Sequence, residues 1–214
     1  MSKIGIFMAD GCEEIEGLTV VDIVRRAKMD ITMISVNGKR EVTSSHGVTF
    51  LTDAVAEEVD YGALDGIVLP GGMPGTLHLL DHATVNEVIK KFAGEGKLVA
   101  AICAAPSVLG AAGILEGRRA TCHPGFEEKL TGAATSEDAV VVDGNIITAA
   151  EWELQFRLRS RLFAILRMMR QWSTSRTDWY ITWCSNKCLP ESSMRRVLWA
   201  AAFRVLLLLA ISNI

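Results

Sequence analysis

Cys103 ends the run Leu98-Val99-Ala100-Ala101-Ile102 and is followed, after two alanines, by Pro106. A short, continuously apolar run reads as a buried parallel strand. A proline just beyond it suits the first turn of a helix, where its missing N–H costs nothing. The spacing therefore predicts a strand over Leu98–Ile102, a helix over Pro106–Ala112, and Cys103 on the tight turn between them. That is a nucleophile-elbow arrangement, in which a helix N-terminus lowers a thiol pKa and nearby backbone N–H groups receive an anion. The same string also suits a buried, inert structural thiol.

Three other groups could act with this thiol. Glu13-Glu14-Ile15-Glu16 opens an amphipathic segment. Among apolar neighbours Glu16 would be kept protonated by burial, able to donate to a thiolate and then to serve as acid or base. An exposed acid in a first helical turn, favoured by the helix dipole, is the alternative and suits Glu13 and Glu14 better. Pro70-Gly71-Gly72-Met73-Pro74-Gly75 permits close backbone approach, and its N–H groups either cradle an oxyanion or simply make a tight strand exit. His123, directly before Pro124, either orients or protonates a substrate or is structural. Cys12 and Cys122 read as packing residues.

These groups need elements to position them. Lys3–Ala9 reads as a strand and Glu13–Ala27 as a helix burying Leu18, Val21, Ile23 and Val24. Ile31–Val36 is a β-branched strand ended by the Asn37-Gly38 turn. Val42–Ser44 and Val48–Leu51 form a hairpin around Ser45-His46-Gly47. Gly66–Leu69 is a strand, and helices follow over Thr76–Leu80 and Ala83–Ala93. Beyond the elbow come a strand over Arg119–His123, a small helix around Pro124–Leu130, and a hairpin of Ala139–Val142 and Asn145–Thr148 turned at Asp143-Gly144. Strands alternating with helices predict an α/β fold with a mostly parallel sheet covered on both faces. Ligands bind such sheets at the carboxyl ends of their strands. Asp10–Glu16, Pro70–Gly75, Cys103 and His123 all fall there.

The chain has 214 residues, a net charge of −3 and a mean hydropathy of +0.26, enough for one domain with a sizeable core. The charge gives no reason to propose a nucleic-acid partner. Five cysteines, at 12, 103, 122, 184 and 188, show no spacing of a disulfide frame or zinc site, so no metal is expected. Met1-Ser2-Lys3 leads straight into a strand without a secretory signal, which makes a reducing cytoplasm the expected compartment.

Several of these strings together resemble the ThiJ/PfpI superfamily, in the branch of Parkinson disease protein 7 and the bacterial YajL-type proteins. They are Ala9-Asp10-Gly11-Cys12-Glu13-Glu14-Ile15-Glu16, Val20-Val21-Asp22-Ile23-Val24-Arg25-Arg26-Ala27, Leu69-Pro70-Gly71-Gly72, Ala101-Ile102-Cys103-Ala104-Ala105-Pro106 and Thr121-Cys122-His123-Pro124. The match runs through residues 2–149. It implies a flavodoxin-like three-layer sandwich, usually a homodimer, working without a cofactor. Members are described as glyoxalase-III-like enzymes acting on methylglyoxal and glyoxal, as deglycases, and as redox-responsive chaperones of the oxidative-stress response. Older assignments tie them to thiazole phosphate biosynthesis or to peptidase family C56. By resemblance Cys103 is the nucleophilic and oxidisable cysteine, Glu16 the carboxyl bonded to it and His123 the nearby histidine. Gly72 and Ala104, beside Gly71, match the oxyanion pocket, and Arg25 or Arg26 an arginine of the site and dimer interface. His46 stands where that branch carries arginine. Residue 104 is Ala rather than the His of the protease-like branch, and no His-x-Glu follows, which speaks against proteolysis and ammonia transfer.

The resemblance stops near residue 150, and so does the composition. All 18 glycines precede that point and all five tryptophans follow it. Residues 1–150 carry 12 basic and 21 acidic side chains, against 10 and 4 in residues 151–214. Where the family has a Gly-rich turn and a long apolar helix, this chain has Glu151-Trp152-Glu153-Leu154-Gln155-Phe156. Shifting the frame by one base recovers that turn: the last base of a Trp codon and the first two of a Glu codon spell GGA, glycine. A permitted solution reads Ser-Gly-Met-Gly-Thr-Ala-Ile-Pro. Residues 1–149 are thus read as the domain and 150–214 as a frameshifted, non-native tail, which leaves an inactive product of a disrupted gene as one reading of the whole. Val197–Ile214 is apolar but barely spans a bilayer, and Arg204 makes insertion costly, so no membrane partner is expected.

A missing covering helix would expose a few hundred Å² of sheet, forfeiting several kcal/mol at roughly 25 cal/mol per Å². Arg157, Arg159, Arg161, Arg167 and Arg170 fall on every side of any replacement helix. The chain as written is expected to be poorly soluble and weakly active, and the chain with its frame restored after Thr148 soluble and dimeric. Side-by-side expression checks this; equal solubility, assembly and activity would refute it.

Overall fold

The computed structural model describes residues 3–150; the segment beyond them, with Cys184, Cys188, the proposed tail and Val197–Ile214, lies outside the described residues. Three apolar runs make the centre of a seven-stranded sheet. They are β1 (Lys3–Met8), β6 (Gly66–Leu69) and β7 (Leu98–Ile102), and nearly every residue in them is buried. Outside β1 lie β2 (Asp30–Ser35) and then the two-residue β5 (Ala54–Val55). On the other side of β7 lie β11 (Ile146–Ala149) and β10 (Val140–Asp143). The order is β10-β11-β7-β6-β1-β2-β5, parallel throughout except for the β10–β11 hairpin.

Side chains alternate across the sheet. Phe7, Ile34, Ile67, Leu69, Val99 and Ala101 point into one core with residues of three helices. These are α2 (Gly75–Asp81), α3 (Ala83–Gly94) and α4 (Pro106–Ala111). Helix α3 shows why it forms where it does: Val85, Val88, Ile89 and Phe92 recur at helical spacing and are all buried. The residues of alternate register, Ile6 and Met8 among them, face the side of α1 (Glu14–Arg26), where Gly17 lets the helix settle against Met8. A Cβ on Gly17 would stand 2.8 Å from the Met8 methyl. Helices on both faces of a mostly parallel sheet are the three-layer α/β sandwich expected from the pattern.

The expected hairpin around Ser45-His46-Gly47 is present as β3 (Glu41–Thr43) and β4 (Thr49–Leu51), a separate two-stranded sheet, with Gly47 at φ +76°. The region after α4 differs from expectation. Only Arg119–Ala120 is strand (β8), paired in parallel with an unforeseen β9 (Ala134–Thr135). In place of a helix around Pro124–Leu130 there is one 3-10 turn, Glu127–Lys129. Gly125, at φ +92°, interrupts helical geometry there, and two-residue strands are too short to carry a periodic signal.

Candidate active site

The loop after β1 and the loop after β6 are interleaved through their backbones. Glu13 N–H donates to the Gly71 carbonyl at 2.9 Å, and Gly75 N–H to the Gly11 carbonyl at 3.1 Å. Gly72 adopts φ +91°, and a Cβ there would collide with Glu13 N. Glycine at 72 is thus required twice over, by its conformation and by the packing of one chain against another.

Cys103 sits on the predicted elbow with φ +62°, a left-handed conformation rare for a residue with a side chain. Its neighbours hold that strain in place. Cys103 N–H donates to the Ala149 carbonyl at the end of β11 (2.8 Å), and the Cys103 carbonyl accepts from His123 N–H (2.7 Å). The Gly72 and Ala104 N–H groups are near enough to the sulfur to favour its charged form. Gly71 packs so close that an added Cβ would lie 2.7 Å from the Cys103 Cβ and 2.8 Å from Glu16 Oε2.

Glu16 lies in the first turn of α1 and is 1% exposed. Gly71 N–H donates to its Oε2 at 2.7 Å, while Oε1 is buried with no hydrogen-bond partner among the described residues. Burial pushes its carboxyl up to about 7, against the opposing pull of the Gly71 N–H and of the Cys103 side chain. Glu16 is buried, as expected, and burial favours its protonated form.

The thiol behaves otherwise. Burial, then the charge of Glu16 and its hydrogen bond, push Cys103 up to about 12, although the Ala104 and Gly72 N–H groups pull the other way. A thiol made acid by a helix N-terminus is therefore not what the resting site contains. Helix α4 has only six residues and a correspondingly small dipole. Burial and the charged carboxylate beside it instead hold the thiol in its protonated form.

His123 contributes its backbone N–H, and its ring lies edge-on to Phe126 at 6.1 Å. Arg25 and Arg26 are at the far end of α1, where Arg25 pairs with Asp53 (3.0 Å) and Arg26 with Asp22 (2.7 Å). Both pairs are half-exposed surface contacts, and the helix carries these arginines away from Glu16 by about 1.5 Å per residue. Cys12 and Cys122 are buried packing residues as expected, pushed up to about 12 and about 11, in each case mainly by burial. Ala149, whose carbonyl fixes the elbow, was not foreseen, because a backbone acceptor on a distant strand leaves no mark on residue type. The hairpin also reaches the site unforeseen: Ser45 N–H donates to the Cys12 carbonyl at 2.8 Å, and Ser45 Oγ to Glu13 Oε2 at 3.2 Å.

The model of the DJ-1/PfpI family matches residues 2–164 of the chain. The chain belongs to the DJ-1/PfpI family. Among curated relatives, Protein DJ-1 homolog B of Arabidopsis thaliana is 38% identical over 149 residues, which are 69% of this chain but 34% of that protein. The chain thus spans about a third of the length of that relative. A deglycase of Pyrococcus abyssi is 34% identical over 150 residues, 69% of this chain and 89% of the relative. The solved structure of oxidized Toxoplasma gondii DJ-1 superposes with a TM-score of 0.69 at 32% identity, covering 78% of this chain and 91% of that one. The DJ-1/PfpI fold accounts for the sandwich and for an elbow at the end of its central strand.

Glu16 also sets a stability signature. Its folded pKa of about 7 exceeds the ordinary 4.5, so the folded state favours the protonated carboxyl. That stabilisation is full below pH 4.5 and is lost as pH rises to 7, a fall of roughly 2–4 kcal/mol. Urea unfolding from pH 4.5 to 8 should show this decline in the native protein and not in Glu16→Gln.

Proposed function

We propose that this protein is a cofactor-independent enzyme of the glyoxalase-III and deglycase type, acting on methylglyoxal, glyoxal or their adducts through Cys103. The observation that carries the reading is the Cys103 sulfur held on a strained elbow with a buried carboxyl and two backbone N–H groups converging on it. The deglycase of Pyrococcus abyssi among the relatives supports the substrate class.

In this reading Glu16 carboxylate takes the thiol proton as the sulfur adds to the aldehyde carbon of methylglyoxal. The pair keeps a single negative charge throughout, which removes the objection raised by a thiol pKa of about 12. The alkoxide that forms is held by the Gly72 and Ala104 N–H groups and takes up the proton, giving a hemithioacetal. Glu16 then removes the proton from that carbon and returns it to the neighbouring one, while the hydroxyl proton passes to the neighbouring ketone oxygen, which converts the hemithioacetal through an enediol to a thioester without any external oxidant. Water hydrolyses the thioester, releasing lactate and the free thiol. His123 is proposed to assist from the rim, and the homodimer is the proposed assembly.

Lactate formation from methylglyoxal should vanish in Cys103→Ala and fall about 10²–10⁴-fold in Glu16→Gln, with folding retained. For the native enzyme kcat/KM should rise with pH through about 7, as Glu16 gains the carboxylate form that accepts the thiol proton. A rate independent of pH between 5 and 8, or an active Cys103→Ala, would overturn the assignment.

A second reading, a redox-sensing chaperone, draws on the same geometry. Two equivalents of peroxide convert the thiol to a sulfinate and two waters, and the Gly72 and Ala104 N–H groups with protonated Glu16 are donors matched to its oxygens. Cys103 is partly exposed while Cys12 and Cys122 are buried. Peroxide titration with mass mapping should therefore modify Cys103 before either of them, and suppression of client aggregation should follow its oxidation state; prior modification of Cys12 or Cys122 would refute the sensor.

A further inference from the structure

Beside the thiol, three side chains from two elements converge without a part in the chemistry above. Glu13 and Glu14 stand at the start of α1, and His46 at the tip of the β3–β4 hairpin. One ligand atom of each lies within 4.8 Å of the others. His46 Nδ1 is 3.1 Å from Glu14 Oε1 and 3.6 Å from Glu13 Oε2. Ligands around a tetrahedral ion with bonds of about 2.0–2.2 Å are separated by about 3.3–3.5 Å. Two edges of the triangle are thus already within a few tenths of an ångström of that spacing.

The burial of Glu13 is a second and independent observation. Its side chain is 9% exposed, yet Oε1 is buried with no hydrogen-bond partner among the described residues. An ionised carboxylate with an unsatisfied buried oxygen is costly. Its other oxygen is engaged by Ser45 Oγ at 3.2 Å. Two adjacent carboxylates share one imidazole, a combination that a divalent cation balances and a single proton on His46 does not.

We propose that Glu13, Glu14 and His46 form a binding site for a divalent transition-metal ion of the zinc type, with water completing the shell. Imidazole nitrogen with carboxylate oxygen selects such ions over calcium and magnesium, which take oxygen alone. The ion displaces any proton on His46 Nδ1 to solvent. It ties the hairpin to the start of α1, next to the Glu13 N–H that holds Gly71.

The test uses the full chain, stripped with a chelator, and Co²⁺ and Zn²⁺ as probes. One equivalent of Co²⁺ should give the ligand-field spectrum of tetrahedral nitrogen and oxygen ligation with no sulfur charge-transfer band, and the same spectrum in Cys103→Ser. Zn²⁺ should raise the melting temperature by mass action. His46→Ala, altering an exposed hairpin tip, and Glu14→Gln should each weaken binding by about tenfold or more, since even indirect ligand supports are worth that much. Unchanged affinity in both variants, a thiolate spectrum, or no binding at millimolar Zn²⁺ would overturn the site, and each of these is independent of whether methylglyoxal is turned over.

Discussion

The constraint on which the site depends is that a buried carboxyl and a partly exposed thiol are held together in space for one negative charge. Glu16 is 1% exposed and its Oε2 is fastened by the Gly71 N–H, so it cannot turn away to water. Cys103 cannot retreat either, because its backbone is pinned on one side by Ala149 and on the other by His123. Burial pushes both groups up, Glu16 to about 7 and Cys103 to about 12, and the charge of Glu16 adds to the rise of the thiol. The result is a thiol that stays protonated beside a carboxyl that titrates near neutrality.

The fold supplies that proximity through strand ends. Strands β1, β6 and β7 are neighbours in the sheet, so the loops that follow them emerge side by side. Glycines at 11, 71, 72 and 75 allow those loops to pack backbone to backbone, where Cβ atoms would collide. The cost of holding Cys103 at φ +62° is borne by hydrogen bonds from elements far away in sequence. The β3–β4 hairpin closes the arrangement from outside, through Ser45 on Cys12 and Glu13.

How legible this was differs from residue to residue. The continuous apolar runs of β6 and β7 announce buried parallel strands, and the Leu98–Pro106 string announces the elbow, because both depend on neighbours in sequence. Glu16 was readable as buried because it follows Ile15 at the opening of an apolar helix face. The region around His123 was misjudged: β8 and β9 are two residues each, and the 3-10 turn at Glu127–Lys129 has no periodic signature. Arg25 and Arg26 were assigned to the site or dimer interface by resemblance alone, and within this chain they pair with Asp53 and Asp22 towards the far end of α1.

By itself the sequence determined the α/β class, the elbow, and which residue types could meet at the strand ends, since hydrophobic period and turn chemistry are local properties. Only the tertiary structure decided the protonation of the pair. A pKa depends on burial and on charges brought close by folding, and here burial, followed by the charge of Glu16, outweighed the Ala104 and Gly72 N–H groups in setting the state of Cys103. It likewise decided that Glu13, Glu14 and His46 meet, because the hairpin folds back across 32 residues to bring an imidazole onto two carboxylates. No spacing along the chain encodes that distance.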